Sequence, residues 1–350
     1  MALCMPDDLL LTGATGFVGY YLSHALAARG RPFRALVRDT SDLRHLATLG
    51  KWCTPVQGDL TDPDSLYDAL QGVETVIHAA ALVSLEDRRE DELLEVNGTG
   101  TANLVNMMLQ ASTRRLVYLG SVAALDRLDG GPTTTVSDRW PAERPDTAYA
   151  RSKFAAEREV WRGQAEGLSV GAVYPTTILG AGDWTGTNTP SLWHYVGEGG
   201  KFYPMGSTGF VDVRDVVRAV FAVVERDQDR DRFLLNAGNL TWKTFFEQVG
   251  RSIGLPPPAF GLNRWQSAML WPVAGIWGGI NNAAPRITRA SHRTAQAKYR
   301  YDGDPYVAAT GNSYIPLKVT IEEIGKAFRM SRSMGNGLPA TFLPVLTVGE

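Results

Sequence analysis

The stretch "TGATGFVG", Thr12 to Gly19, sets glycines at positions 13, 16 and 19. It follows the apolar run "LLLT" (Leu9–Thr12) and leads into "FVGYYLSHALAARG", which has helical periodicity and ends at Gly30. The spacing predicts a strand, a tight turn and a helix. Gly13 permits the sharp bend, Gly16 lets backbone approach a pyrophosphate, and Gly19 lets the helix pack close to the strand. The helix start then offers unpaired N–H groups, near Phe17 and Val18, to phosphate oxygens. Thr15 lies in the same loop and belongs to the expected phosphate site.

Outward from this turn the chain alternates. Strands are predicted at Phe33–Arg38, Cys53–Asp59, Thr75–Ala81, Arg115–Ser121 and Ser169–Thr176. A helix over "DPDSLYDALQG" begins with Asp62 as N-cap and Pro63 at its first position, and a long helix covers Glu90 to Ala111. Apolar strands alternating with helices specify an α/β fold with a doubly wound parallel sheet. After Thr177 the rhythm breaks into a segment rich in glycine and aromatics, and "RFLLNAG" (Arg232–Gly238) supplies a seventh strand. The expected organisation is a dinucleotide-binding domain over 1–177 plus about 210–238. A smaller, mostly helical substrate lobe over 178–209 plus 239–328 follows, and 329–350 form a loosely held C-terminal tail.

The second strand ends at Arg38 in "LVRDTSDLRHL". An acid at that point would select the ribose 2′-OH of NAD, whereas a guanidinium suits a 2′-phosphate. NADP(H) is therefore favoured, with Arg44 behind Arg38; Asp39, one place late, leaves NAD(H) open. The stretch "YARSK" puts Tyr149 and Lys153 on one helical face. A free tyrosine has a pKa of ~10, so acid–base work near neutrality needs ~4 kcal/mol of help. An ammonium about 5 Å away supplies ~3 kcal/mol at an effective dielectric of ~20. Lys153 is thus expected to hold the Tyr149 phenol down.

With these motifs placed, the chain resembles the extended short-chain dehydrogenase/reductase (NAD-dependent epimerase/dehydratase) family, in its dihydroflavonol-reductase-like branch. The resemblance implies a Rossmann domain and a nicotinamide cofactor. It implies catalysis by Ser121, which ends "YLGS", together with Tyr149 and Lys153. It also implies cofactor contacts at Gly13, Thr15, Gly16, Phe17, Val18, Gly19 and Arg38. Further implied contacts are Asp59 and Leu60 in "GDL", Ala79, Ala80 and Ala81 in "HAAA", Pro175, Thr176, Thr177 and Ile178 in "YPTTI", and Tyr149 and Lys153, with Lys153 on the nicotinamide ribose. Asn97, Gly100 and Thr101 in "VNGTGTANL" match a family helix. His78, inside an apolar strand, reads as a satisfied core histidine.

The resemblance leaves three readings. The first is reduction of a ketone or aldehyde, or oxidation of the matching secondary alcohol, on an apolar small molecule. The second is a nucleotide-sugar epimerase or dehydratase. The third is a non-catalytic NADP(H)-sensing protein. Ser121, Tyr149 and Lys153 are all present, which disfavours the third. "SVAAL" lacks the Asp-Glu pair of the dehydratases. "YPTTILG" has Tyr174 and Thr177 where sugar-nucleotide enzymes carry Arg and Asn. Trp184, Trp193, Tyr195, Trp265, Trp271 and Trp277 suggest aromatic pocket walls. The expected activity is therefore the first.

Composition fits a soluble enzyme of the 350-residue chain: 44% hydrophobic, 21% charged and a net charge of -2, which gives no attraction to nucleic acid or an anionic surface. Two cysteines, Cys4 and Cys53, make no disulfide scaffold and suit a reducing, cytoplasmic setting. The five histidines show no ligand spacing, so no metal is expected. The start of the chain carries acid where a secretory leader is basic. The longest apolar candidate, Ala268–Ile280, is broken by Pro272 and three glycines, so stable membrane insertion is not expected. A small-molecule substrate is the expected partner, and a homodimer is compatible with the family.

Overall fold

The structure, a computed structural model, describes residues 8–345 except Leu85, Leu128, 137–144, Thr187, 264–293 and 335–339. The glycine turn joins β1 (Leu9–Thr12) to α1 (Phe17–Ala28), as the spacing requires. Next come β2 (Phe33–Val37), a short α2 (Arg44–Ala47), β3 (Cys53–Gln57), α3 (Pro63–Leu70) and β4 (Thr75–His78). The Asp62 carboxylate accepts from the N–H groups of Asp64 and Ser65 and so starts α3, with Pro63 in its first turn. The long helix is one continuous run in three parts: α4 (Glu90–Leu93), a π-helical segment at Leu94–Thr99, and α5 (Gly100–Gln110).

β5 (Arg115–Leu119), α6 (Ala148–Ala165) and β6 (Ser169–Pro175) follow, and α6 is capped by Thr147, which accepts from the Ala150 N–H. The remaining elements are β7 (Thr177–Leu179), α7 (Ser191–Gly197), β8 (Phe202–Pro204), β9 (Ser207–Asp212), α8 (Val213–Arg226), β10 (Arg232–Leu235), β11 (Gly238–Thr241), α9 (Trp242–Ile253), β12 (Phe260–Leu262), α10 (Asp304–Thr310) and α11 (Leu317–Ser333).

Seven strands form one sheet in the order β10-β6-β5-β4-β1-β2-β3, with every pairing parallel. The order reverses between β1 and β4, and α/β sheets bind ligands at the carboxyl ends of strands beside such a switch point. The strands are near-continuously apolar because helices cover both faces: Leu10, Leu11, Val76, Ile77, Leu116 and Val117 are fully buried. Residues after β6 also build a three-stranded sheet, β11-β9-β7, and a two-stranded one, β12-β8.

Two expectations are corrected here. Trp184 and Trp193 are fully buried core residues rather than pocket walls. Their rings meet Phe328 and Phe245 edge-on at 5.2 and 5.7 Å. Trp265, Trp271 and Trp277, with the apolar stretch Ala268–Ile280, lie outside the described residues. The C-terminal part is also less loose than its lack of period implied. α11 continues through Ser333, and residues 340–345 pack on α1. Phe342 stacks on Tyr20 at 3.5 Å, and the Leu343 N–H donates to the Tyr21 hydroxyl at 3.1 Å. Among the described residues, no helix is long and apolar enough to cross a membrane.

Candidate active site

The glycine turn is shaped by backbone crowding. Gly13 has φ of 73°, which a side chain resists, and a Cβ there would stand 2.6 Å from Ala80 Cα and N. A Cβ on Gly19 would stand 1.9 Å from the Gly13 carbonyl oxygen. Both glycines therefore let α1 start directly over the ends of β1 and β4. Gly16 is the N-cap and supplies no side-chain cap, so the first N–H groups of α1 have no side-chain acceptor, while Thr15 and Gly16 are exposed. Such a helix start is a ready anion site. Ala79, Ala80 and Ala81 follow β4 across the switch point, where the Ala80 N–H donates to Thr12 Oγ1 at 3.2 Å. These residues fit a dinucleotide pyrophosphate.

At the end of β2 the Arg38 side chain is exposed, and it makes no ion pair among the described residues. Arg44 does not stand behind it as expected: its guanidinium grips Asp42, with Nη2 to Oδ2 at 2.5 Å. Asp39 accepts a hydrogen bond from Gln57 Nε2. Asp59 and Leu60 come next in the row of strand ends, after β3. The Asp59 carboxylate accepts from the Thr61 N–H and hydroxyl, and the Leu60 carbonyl accepts from Asn103.

Ser121 sits just past β5, and Tyr149 and Lys153 lie on the first turns of α6. The Ser121 hydroxyl accepts from the Ala123 N–H at 3.1 Å and shares a hydrogen bond with the Tyr149 hydroxyl. Gly120 is glycine because a Cβ there would meet the Tyr174 ring at 2.8 Å. Burial pushes the Tyr149 phenol up from its ordinary pKa, opposed by the Ser121 hydrogen bond and by the charge of Arg127. The expectation that Lys153 holds the phenol down is thus not met. The lysine stem instead carries its ammonium down to the sheet, where Nζ donates to the Leu119 carbonyl at 3.1 Å and stands 4.6 Å over the Tyr118 ring. Burial lowers Lys153 to about 8, and Glu157 acts against that fall. Pro175 ends β6 and Thr176 links it to β7; the Thr176 hydroxyl donates to the Leu235 carbonyl, and Thr177 and Ile178 remain partly exposed in β7.

His78 is a satisfied core residue: it bonds Thr12 Oγ1 at 2.8 Å and Thr101 Oγ1 at 3.1 Å, and burial pushes it down to about 3. Asn97, in the π segment, holds the Leu82 backbone through both its amide groups and donates to Ser152 Oγ. Three residues were missed by sequence reasoning. Glu157, one turn beyond Lys153, is 2% exposed and accepts from Tyr174, Trp161 and Arg232. Its i+4 spacing from Lys153 was a usable signal. Arg232 reaches it from β10, and Arg127 approaches Tyr149 from the loop after β5. Neither is adjacent in sequence, and neither carried a local signal.

The chain matches the NAD dependent epimerase/dehydratase family over residues 9–238. It belongs to that family. Within it, the chain is 33% identical over 259 residues to "Sterol demethylase protein B" of Methylococcus capsulatus, covering 72% of this chain and 76% of that one. It is 31% identical over 269 residues to a putative dihydroflavonol 4-reductase of Synechocystis, covering 75% and 77%. The crystal structure of gox2253 superposes with a TM-score of 0.77 at 29% identity, covering 95% of this chain and 99% of that one. The family and these relatives make the protein an NAD(P)-dependent reductase or dehydrogenase of the extended short-chain type.

Proposed function

We propose that the protein is an NADP(H)-dependent carbonyl reductase of an apolar small molecule, with Ser121, Tyr149 and Lys153 as its catalytic residues. The observation that carries this is the Ser121–Tyr149 hydroxyl pair, with a phenol kept protonated by its surroundings. A protonated phenol is the form that gives a proton away, which suits reduction. Ser121 orients the substrate carbonyl, and Tyr149 delivers its proton to the oxygen as charge develops there. Lys153 would hold the nicotinamide ribose. The reduced nicotinamide supplies the hydride when bound. Gly13, Thr15, Gly16, Phe17, Val18 and Gly19 would hold the pyrophosphate, Asp59 and Leu60 the adenine side, and Ala79–Ala81 with Pro175–Ile178 the nicotinamide side. The parallel-sheet domain would carry the cofactor and the lobe after Thr177 the substrate. A panel of aryl ketones, aldehydes and a uridine diphosphate sugar, followed by NADPH absorbance, tests the reading. Turnover of the sugar nucleotide with none of the ketones or aldehydes would overturn it.

The 2′-phosphate preference rests on Arg38. Arg44 is engaged by Asp42 and does not stand behind Arg38. Arg38→Ala should weaken NADPH by about 1.5–3 kcal/mol, the range of a charge-assisted hydrogen bond, and leave NADH nearly unchanged. Parallel titrations with the two cofactors check this, and equal losses would remove the phosphate role.

A pH dependence follows from Lys153. Its ammonium loses its proton as pH rises through about 8, so cofactor holding should fade above that point. Glu157→Gln keeps the shape of the side chain but removes the charge that favours the ammonium. The alkaline limb of kcat/KM should then move to lower pH. A limb at the wild-type position would show that the two groups are not coupled.

A further inference from the structure

Beyond the end of β6, two segments far apart in sequence form a wall. The loop after β5 meets residues 298–302: Thr134 bridges Tyr301, the Gly130 N–H donates to the Lys298 carbonyl, and the Thr134 N–H donates to the Arg300 carbonyl. Tyr301 lies at the end of β6, since a Cβ added to Gly209 would stand 2.7 Å from both its ring and Thr176. This wall therefore stands over the carboxyl ends of β5 and β6, where Ser121 and Tyr149 are. In it, the Arg127 guanidinium lies 4.8 Å over the Tyr299 ring. The described acids on this side are engaged elsewhere or exposed. Asp129, which faces Tyr299, accepts from the Lys298 N–H at 2.8 Å, and the exposed Asp146 lies on the same side. Among the described residues Arg127 makes no ion pair. Its charge is nevertheless felt at the Tyr149 phenol. The Tyr301 ring, 6.3 Å from that of Tyr299, has a buried hydroxyl with no hydrogen-bond partner among the described residues.

A half-buried guanidinium stacked on an aromatic ring, with no carboxylate in ion-pair contact among the described residues, is a preorganised anion receptor. We propose that Arg127 binds an anionic oxygen group, carboxylate or phosphate, carried by the substrate close to its reacting carbonyl. The substrate then has an apolar body and an acidic arm. This deepens the reductase reading and rests on it for the reaction, though not for the binding.

The test uses aryl ketones whose carboxylate lies one, two or three carbons from the carbonyl, each beside its methyl ester and its phosphate counterpart. In reduction the carbonyl carbon gains the hydride from NADPH and the oxygen gains a proton. At one spacing the acid should exceed its ester in kcat/KM by about tenfold to a hundredfold, the worth of one charge-assisted contact. Arg127→Leu should bring that ratio close to one, and Arg127→Lys should keep part of it. The carboxylate and phosphate arms tell the two anions apart. A wild-type ratio near one at every spacing overturns the proposal and leaves the reductase reading standing. If no ketone is reduced, calorimetric titration of the NADP-loaded protein with the same acids and esters decides. Acid binding lost in Arg127→Leu upholds the receptor, and equal binding of acid and ester ends it.

Discussion

Replacing Tyr149 by phenylalanine should lower kcat for carbonyl reduction by about 10²–10⁴-fold, the range that a positioned general acid contributes. The substitution removes one oxygen. What it takes away is the proton that the substrate oxygen needs and the partner of the Ser121 hydroxyl. Ser121 keeps its bond from the Ala123 N–H, so the strand end stays in place. Lys153 is held by the Leu119 carbonyl and the Tyr118 ring, neither of which involves Tyr149, so the affinity for NADPH should stay within a few-fold. Folding stability should change by about 1 kcal/mol, the net worth of one hydrogen bond. Steady-state rates with a ketone and fluorescence titration with NADPH separate these effects. Turnover within a few-fold of wild type would remove Tyr149 from the chemistry.

What the sequence disclosed, it disclosed where a constraint is local. The glycine turn is legible because a strand, three glycines and a helix must follow one another within a few residues. The Asp62 cap and Pro63 are legible for the same reason. The Tyr149–Lys153 spacing gave the shared face but not the direction of the lysine stem, which depends on β5 lying beneath it. The order of strands was open, since the period of a strand does not say which neighbour it chooses. The tryptophans show the converse failure. Trp184 and Trp193 look like pocket material in composition, yet they meet Phe328 and Phe245 from distant helices and vanish into the core. Arg44 follows Arg38 closely in sequence and looks like its support, but an acid two residues away captures it. Arg127 and Arg232 became visible only when the chain was folded, because each acts on a residue outside its own segment, whereas Glu157 lies four residues after Lys153 on the same helix and its burial, not its spacing, is what folding reveals.

The second large effect belongs to Gly19. An alanine Cβ there would stand 1.9 Å from the Gly13 carbonyl oxygen and 2.8 Å from the Ala14 carbonyl carbon and Cα. All three are backbone atoms of the turn, so no side chain can rotate away. α1 must move off β1, and overpacking of this kind costs about 3 kcal/mol. The shift also carries away the N–H groups of the first turn, and losing two charge-assisted hydrogen bonds should weaken NADPH by about 100-fold or more. Gly16→Ala is the informative companion. Its Cβ would stand 3.2 Å from the same oxygen, a contact that a small adjustment relieves, and the residue faces solvent. Stability should then be nearly unchanged, while the methyl group stands where a pyrophosphate must approach. The expected pattern is a lower Tm with lost binding for Gly19→Ala, and an unchanged Tm with weakened binding for Gly16→Ala. Thermal melts and NADPH titrations on both variants check it. Normal NADPH affinity in Gly16→Ala would mean that the cofactor does not lie over this turn, and the nucleotide site would have to be sought elsewhere along the carboxyl ends of the strands.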